Sequence, residues 1–238
     1  MRRILNLSAG WILMLYVVGS WAQPNTSIKL STGFFYADGQ SNDLNVPDST
    51  LKSVPLSIQF KHNRFGMRLS SSWLEVNSGG VVDAGQGDTT VAISYDLTEN
   101  PWWTLTVKEK FATGDSGKGL STGYNDTKIQ VDYFQAVGRE RSVFATLGYT
   151  FKGGQSDVST YQDAAYASVG MGVVLSQGWN GGVSFDYYQA TSRTLDDTLG
   201  GSVFIGHKLS QHFGVNVFAA YDSAQTTSLG LGLSYKLQ

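Results

Sequence analysis

From Thr26 onward, apolar and polar positions alternate with a period of two almost without interruption. "TSIKLSTGFFYAD" sets Ile28, Leu30, Phe34 and Tyr36 against Lys29, Ser31 and Gly33. "SVPLSIQFK" repeats the pattern with Val54, Leu56, Ile58 and Phe60, and "RFGMRLSSSW" with Phe65, Met67, Leu69 and Trp73. "DTTVAISYDL" gives Val91, Ile93, Tyr95 and Leu97, and further segments run from "WTLTVKEKF" to "LGLGLSYKLQ", twelve in all. Side chains on a strand point alternately to its two faces, so each segment of about ten residues reads as a strand with one apolar face.

Alternating strands also build soluble sandwiches. Three features favour a membrane barrel. The number of strands is even. The connections alternate between short ones ("HNR", "TENPW", "AVGRER", "SQGWN", "SQHF") and long polar ones such as "ADGQSNDLNVPDSTLK" and "NSGGVVDAGQG". Outer-membrane barrels have this asymmetry, with tight periplasmic turns and longer outside loops. Threading the strands up and down also sorts the outward aromatics by height. Tyr36, Trp73, Tyr149, Tyr187 and Tyr221 fall near the outer ends, and Trp103, Tyr133 and Tyr235 near the periplasmic ends. Two aromatic girdles around an aliphatic belt suit rings that sit at two lipid–water interfaces. Glu109 interrupts the apolar face between Val107 and Phe111, which predicts either a bulge or a position near the head groups.

The first residues add a destination. "MRR", an apolar run "AGWILMLYVVG" and "SWAQP" have the order of a signal peptide, with small residues at Ser20 and Ala22. The run is too short for a membrane-spanning helix, which needs roughly 20 residues. Residues 1–22 are therefore expected to be cleaved, leaving residues 23–238 as one domain. The fold class is all-β: a single antiparallel up-and-down transmembrane β-barrel of about twelve strands in the outer membrane of a Gram-negative cell. The expected surroundings are outer-membrane lipid and lipopolysaccharide, with the barrel-assembly machinery as a partner during biogenesis. Such barrels commonly end on an aromatic residue, whereas this chain ends "SYKLQ", with Tyr235 and Leu237 outward and Gln238 last.

Composition removes other functions. The chain has no cysteine, which excludes thiolate metal sites. Its 17 basic residues, less Arg2 and Arg3, face 19 acidic ones, so nucleic acid is not an expected partner. The three histidines, His62, His207 and His212, all fall near periplasmic turns, with no serine partner in view and no i, i+2 metal spacing. No cofactor, no metal and no enzymatic activity are expected.

"FATGDSGKGLSTGYND" looks like a phosphate-binding loop, but its glycines lack the P-loop spacing and no helix follows. It falls between two strands and reads as an outside loop. Lys110, Thr113, Gly114, Asp115, Lys118, Gly119, Leu120, Ser121, Thr122 and Gly123 resemble a motif of the outer-membrane barrel family called MetA-pathway of phenol degradation proteins, or simply transporters. Ala112 stands where that family usually has proline. The resemblance covers roughly residues 87–154 and implies a barrel that passes small, aromatic compounds.

The inward face carries the candidate chemistry. Lys29, Lys61, Arg68, Lys108, Lys110, Lys128, Lys152, Lys208 and Lys236 stand against Asp96, Asp132, Asp186 and Asp222. This excess of bases predicts a hydrated lumen that favours anions. Phe35, Phe134, Phe144, Tyr166, Tyr188, Phe204 and Phe218 point the same way, and Gly170, Gly172, Gly230 and Gly232 mark where the lumen should be widest. Two functions fit: a passive channel for small solutes, and a non-conducting barrel that binds a partner through its outside loops.

Overall fold

The computed structural model describes residues 26–39, 48–154 and 161–237. The expected signal peptide and Gln238 lie outside these residues, as does most of the first loop.

Thirteen strands follow one another: β1 (Thr26–Gly39), β2 (Ser49–His62), β3 (Phe65–Ser78), β4 (Val81–Gln86), β5 (Thr89–Glu99), β6 (Trp102–Phe111), β7 (Asp126–Val137), β8 (Arg141–Lys152), β9 (Ala164–Ser176), β10 (Trp179–Tyr188), β11 (Thr198–Lys208), β12 (Phe213–Asp222) and β13 (Thr226–Lys236). The extra strand corrects the sequence reading. "NSGGVVDAGQG" was expected to be an irregular loop, but β3 and β4 continue as a hairpin above the barrel wall, paired from Ser78↔Val81 to Trp73↔Gln86. Gly79 and Gly80 close it with φ of 59° and 81°, the pair of positive values that a tight two-residue hairpin turn demands. Below the hairpin, the Gly87 amide donates to the Ser72 carbonyl at 2.8 Å and β5 takes over the pairing with β3. Thus β4 and β5 are two lengths of one barrel strand.

All neighbouring strands are antiparallel, and β1 pairs with both β2 and β13. The result is a closed, twelve-stranded barrel. In hydrocarbon an unpaired edge has no water to satisfy it, so closure is what permits a sheet to span the membrane.

The packing is inside-out relative to a soluble domain. Phe185 (72% exposed), Leu147 (65%) and Leu199 (64%) project outward, whereas Gln130 (2%), Ser184 (2%) and Asp186 (4%) are enclosed. Glu109 lies on the outward face with no bulge beside it, paired opposite Val91 and Thr127. Its carboxylate accepts a hydrogen bond from Thr127 Oγ1 at 2.6 Å. The register shifts fall elsewhere, at Asp96/Thr98 and Trp179/Asn180.

Ring closure can be tested covalently. Ser31 on β1 lies opposite Ser234 on β13, and the chain has no cysteine of its own. Opposed residues have Cβ atoms about 5 Å apart, close to disulfide range. Oxidised S31C/S234C protein should carry an intramolecular link, read as altered gel mobility that reductant reverses. Only intermolecular links would contradict the closed ring.

Candidate functional site: the lumen wall

Antiparallel registers sort the inward residues into rows that run across the strands. One row passes from Lys236 through Lys29, Gln59, Arg68, Ala92 and Lys108 to Lys128, each opposite the next on the neighbouring strand. A second passes from Asp96 through Thr104, Asp132, Thr146, Ser168, Asp186 and Gly200 to Asp222. Five of the nine predicted cations thus share one row, and all four predicted aspartates share another. Strands of a closed barrel tilt, so a hydrogen-bonded row climbs helically around the wall. Lys236 and Asp96 sit near the turn end, and Lys128 and Asp222 near the loop end.

Between the two rows lies an uncharged one, Thr106–Gln130–Gly148–Tyr166–Tyr188. Gln130 bridges it. Its Oε1 accepts from Lys108 Nζ at 2.8 Å, and its Nε2 donates to both oxygens of Asp132 at 2.6 and 2.7 Å. The Tyr166 hydroxyl also donates to Gln130 Oε1. Most charges along the rows are held by neutral partners. Arg68 donates to Gln59 at 2.9 Å, and Lys128 stands 4.4 Å above the Tyr166 ring. Asp132 also accepts from Thr146, Asp186 from Ser184, and Asp222 from the amides of Ala224 and Thr226. Asp96 differs, because Lys61 pairs with it at 2.7 Å.

The remaining predicted cations divide by height. Lys208 is exposed at the turn end. Lys110 and Lys152 are tied up at the loop end, where Asp126 accepts from them at 2.9 and 2.7 Å and Asp88 meets Lys110 at 3.1 Å. Asp88 and Asp126 were missed among the inward acids. Asp126 opens β7 opposite Lys110 and Lys152, so its role follows from pairing rather than from its own segment. The cationic excess is correspondingly smaller than the sequence count implied.

Aromatic rings revise the expected shape of the lumen. Phe144 lies opposite Gly170 and Phe218 opposite Gly230, and a Cβ at either glycine would collide with the facing ring. Ser142 and Asn216 likewise cover Gly172 and Gly232. The glycine positions that should have been the widest gaps are where neighbouring side chains lie against the wall. Phe35 stacks on Phe218 at 6.1 Å and Tyr188 on Tyr166 at 6.2 Å. Phe134 and Phe204 complete the inward set, with Phe204 6.2 Å from Phe144.

On the outward face, Trp103 and Tyr133 pack at 4.8 Å near the turn end, the end at which Tyr235 of β13 is also exposed. Tyr36, Trp73, Tyr149 and Tyr221 occupy outward positions toward the loop end, with Tyr149 4.9 Å from Phe151. Tyr187 donates to Asp197 at 2.6 Å; this bond and the Ala190 amide hold that loop carboxyl below its ordinary pKa.

The motif loop between β6 and β7 is folded onto the hairpin. Its Thr113 meets Thr89 at 2.9 Å, the Gly114 amide donates to Asp88, and Asp115 accepts from the amides of Gly117 and Lys118. Gly119 and Gly123 take φ of 73° and 78°. Leu120 is 4% exposed and sits against Gly85, and Lys110 donates to Thr122 at 2.7 Å. Ala112, where proline was expected, uses the N–H that proline lacks to bond Asn125 at 2.9 Å. The histidines all lie at the turn end, bonded to Thr26, the Gly178 carbonyl and the Lys236 carbonyl.

No family model matches the chain, and neither does any curated protein. Solved structures do. The COG4313 outer-membrane channel from Pseudomonas putida F1 is similar at 14% identity and a TM-score of 0.69, over 91% of this chain and 97% of that one. The KdgM porin in complex with disordered oligogalacturonate is similar at 15% identity and 0.61, over 88% and 98%. The CymD monoaromatic hydrocarbon channel follows at 12% identity and 0.53, over 90% and 88%. At such identities the likeness concerns fold: the chain has the barrel fold of outer-membrane channels and porins.

Asp126 joins two lysines, and its loss takes the carboxylate from Lys152 and leaves Lys110 with Asp88. Asp126→Asn should lower stability by about 2–3 kcal/mol, measured by urea unfolding in detergent. It should also speed tryptic cleavage at the exposed Lys118 in the loop that Lys110 helps to hold.

Proposed function

We propose that this protein is a passive channel in the outer membrane for small solutes, with an anion preference set by the basic row. The observation that carries the reading is the continuity of that row, from Lys236 at the turn end to Lys128 near the loop end. Cations spaced along a wall give an anion successive weak sites, the arrangement that lets an ion both enter and leave. Twelve strands enclose more room than the self-filled eight-stranded barrels and less than the open sixteen-stranded ones. The inward rings, flat against the wall, are compatible with the small aromatic compounds that the family resemblance implies. In this reading residues 1–22 direct export and are removed, lipid and lipopolysaccharide surround the girdles, and the chain performs no catalysis.

The test is single-channel recording of the refolded exported chain in a planar bilayer under a KCl gradient. Steady openings with a chloride-leaning reversal potential are expected. Two unit charges about 10 Å from a permeating ion act with roughly 0.4–1.7 kcal/mol each, depending on the local dielectric. Lys108→Glu with Lys128→Glu changes the local charge by four units, and after screening over about one Debye length should still lower the chloride-to-potassium permeability ratio by roughly tenfold or more. An unchanged ratio would remove the basic row as the filter. A folded barrel that stays silent would favour the loop-binding alternative.

A further inference from the structure

We infer that the lumen is a dipolar filter whose favoured solutes are small zwitterions, with the acidic group toward the basic row and the ammonium toward the aspartate row. The inference rests on the channel reading above and narrows its solute class.

The two rows climb the wall in the same sense and run side by side on β5, β6 and β7, as Ala92 with Asp96, Lys108 with Thr104 and Lys128 with Asp132. Lys128 and Asp132 mark their separation on β7: four residues, or about 13 Å along the strand. A solute midway is about 6.5 Å from each row, within the Debye length of about 8 Å at physiological salt, so it feels both. Lys61 pairs with Asp96 at 2.7 Å, but the charges that flank Gln130 do not cancel by direct pairing. Lys108 donates to a neutral amide, Arg68 to another, and Lys128 rests over a ring. Asp132, Asp186 and Asp222 accept from amides and hydroxyls. What remains is a field directed across the lane from the basic row to the acidic one.

Gln130 reports that field. It is 2% exposed, and its carbonyl oxygen faces Lys108 while its amide nitrogen faces Asp132. The amide dipole therefore lies along the field, with its negative end toward the lysine. A zwitterion in the lane can adopt the same orientation. A lone anion is attracted by one row and repelled by the other, and a lone cation meets the reverse. Specificity of this kind comes as much from the repulsion of the wrong solute as from attraction of the right one. The two rows share β5, β6 and β7, so the preference acts along that stretch of the wall, at Lys108, Lys128 and Asp132.

Three membrane-impermeant probes of similar size separate the cases: taurine as the zwitterion, ethanesulfonate as the anion and choline as the cation. Tracer efflux from proteoliposomes should be at least about threefold faster for taurine than for either ion. Asp132→Asn with Asp186→Asn should abolish the taurine advantage and raise ethanesulfonate efflux. Lys108→Gln with Lys128→Gln should abolish it too and raise choline efflux. Heat-dependent gel mobility identifies folded variants, and either pair alone suffices. Ethanesulfonate outrunning taurine in the unmodified protein would overturn the dipolar filter and leave the anion channel standing. Efflux of none of the three would overturn both.

Discussion

The ring of backbone hydrogen bonds that runs from β1 through β2 and returns by β13 is the constraint on which everything else rests. A bilayer offers no partner for an amide or carbonyl, so each strand must find both of its neighbours within the chain. Once the ring closes, the pleat gives every residue one of two destinations, lipid or lumen. That is why a chain with many apolar residues encloses so few of them, and why Gln130, Ser184 and Asp186 are among its most enclosed side chains.

Closure has a second consequence. The strands tilt, so residues that are neighbours across hydrogen bonds lie at different heights. A row of like charges becomes a ramp between the two mouths rather than a ring at one level. The side chains along the ramps are held in two different ways. Gln130, between the ramps, and Gln59, within the basic one, hold Lys108 and Arg68 while leaving them unneutralised. At the loop end, Asp126 meets Lys110 and Lys152 directly, and the charge there is consumed in holding structure. The same residue types thus line the lumen with their charge intact in one place and anchor structure in another, according to their partners.

Much of the barrel was legible along the chain. The outward positions of Leu69, Ile93, Val107 and Leu231 follow from period two alone, because alternation is a property of each strand by itself. The girdle positions follow from counting along each strand. The misreadings have a common origin in the neighbouring strand. Val81–Gln86 read as part of a long loop, although it had a partner in β3 waiting above the barrel wall. Gly170 and Gly230 read as open space because the rings that cover them belong to β8 and β12.

The sequence by itself determined the face of nearly every strand residue, since that depends only on a residue's own place in the pleat. It also supplied the inward charges. Only the tertiary structure decided which of those charges are neighbours. Lys236 and Lys29 lie at opposite ends of the chain, and Asp96 and Asp222 are likewise far apart in it, yet each pair shares a row. Their alignment depends on the registers of all the strands between them and on the tilt that closure imposes, and no single segment carries that information.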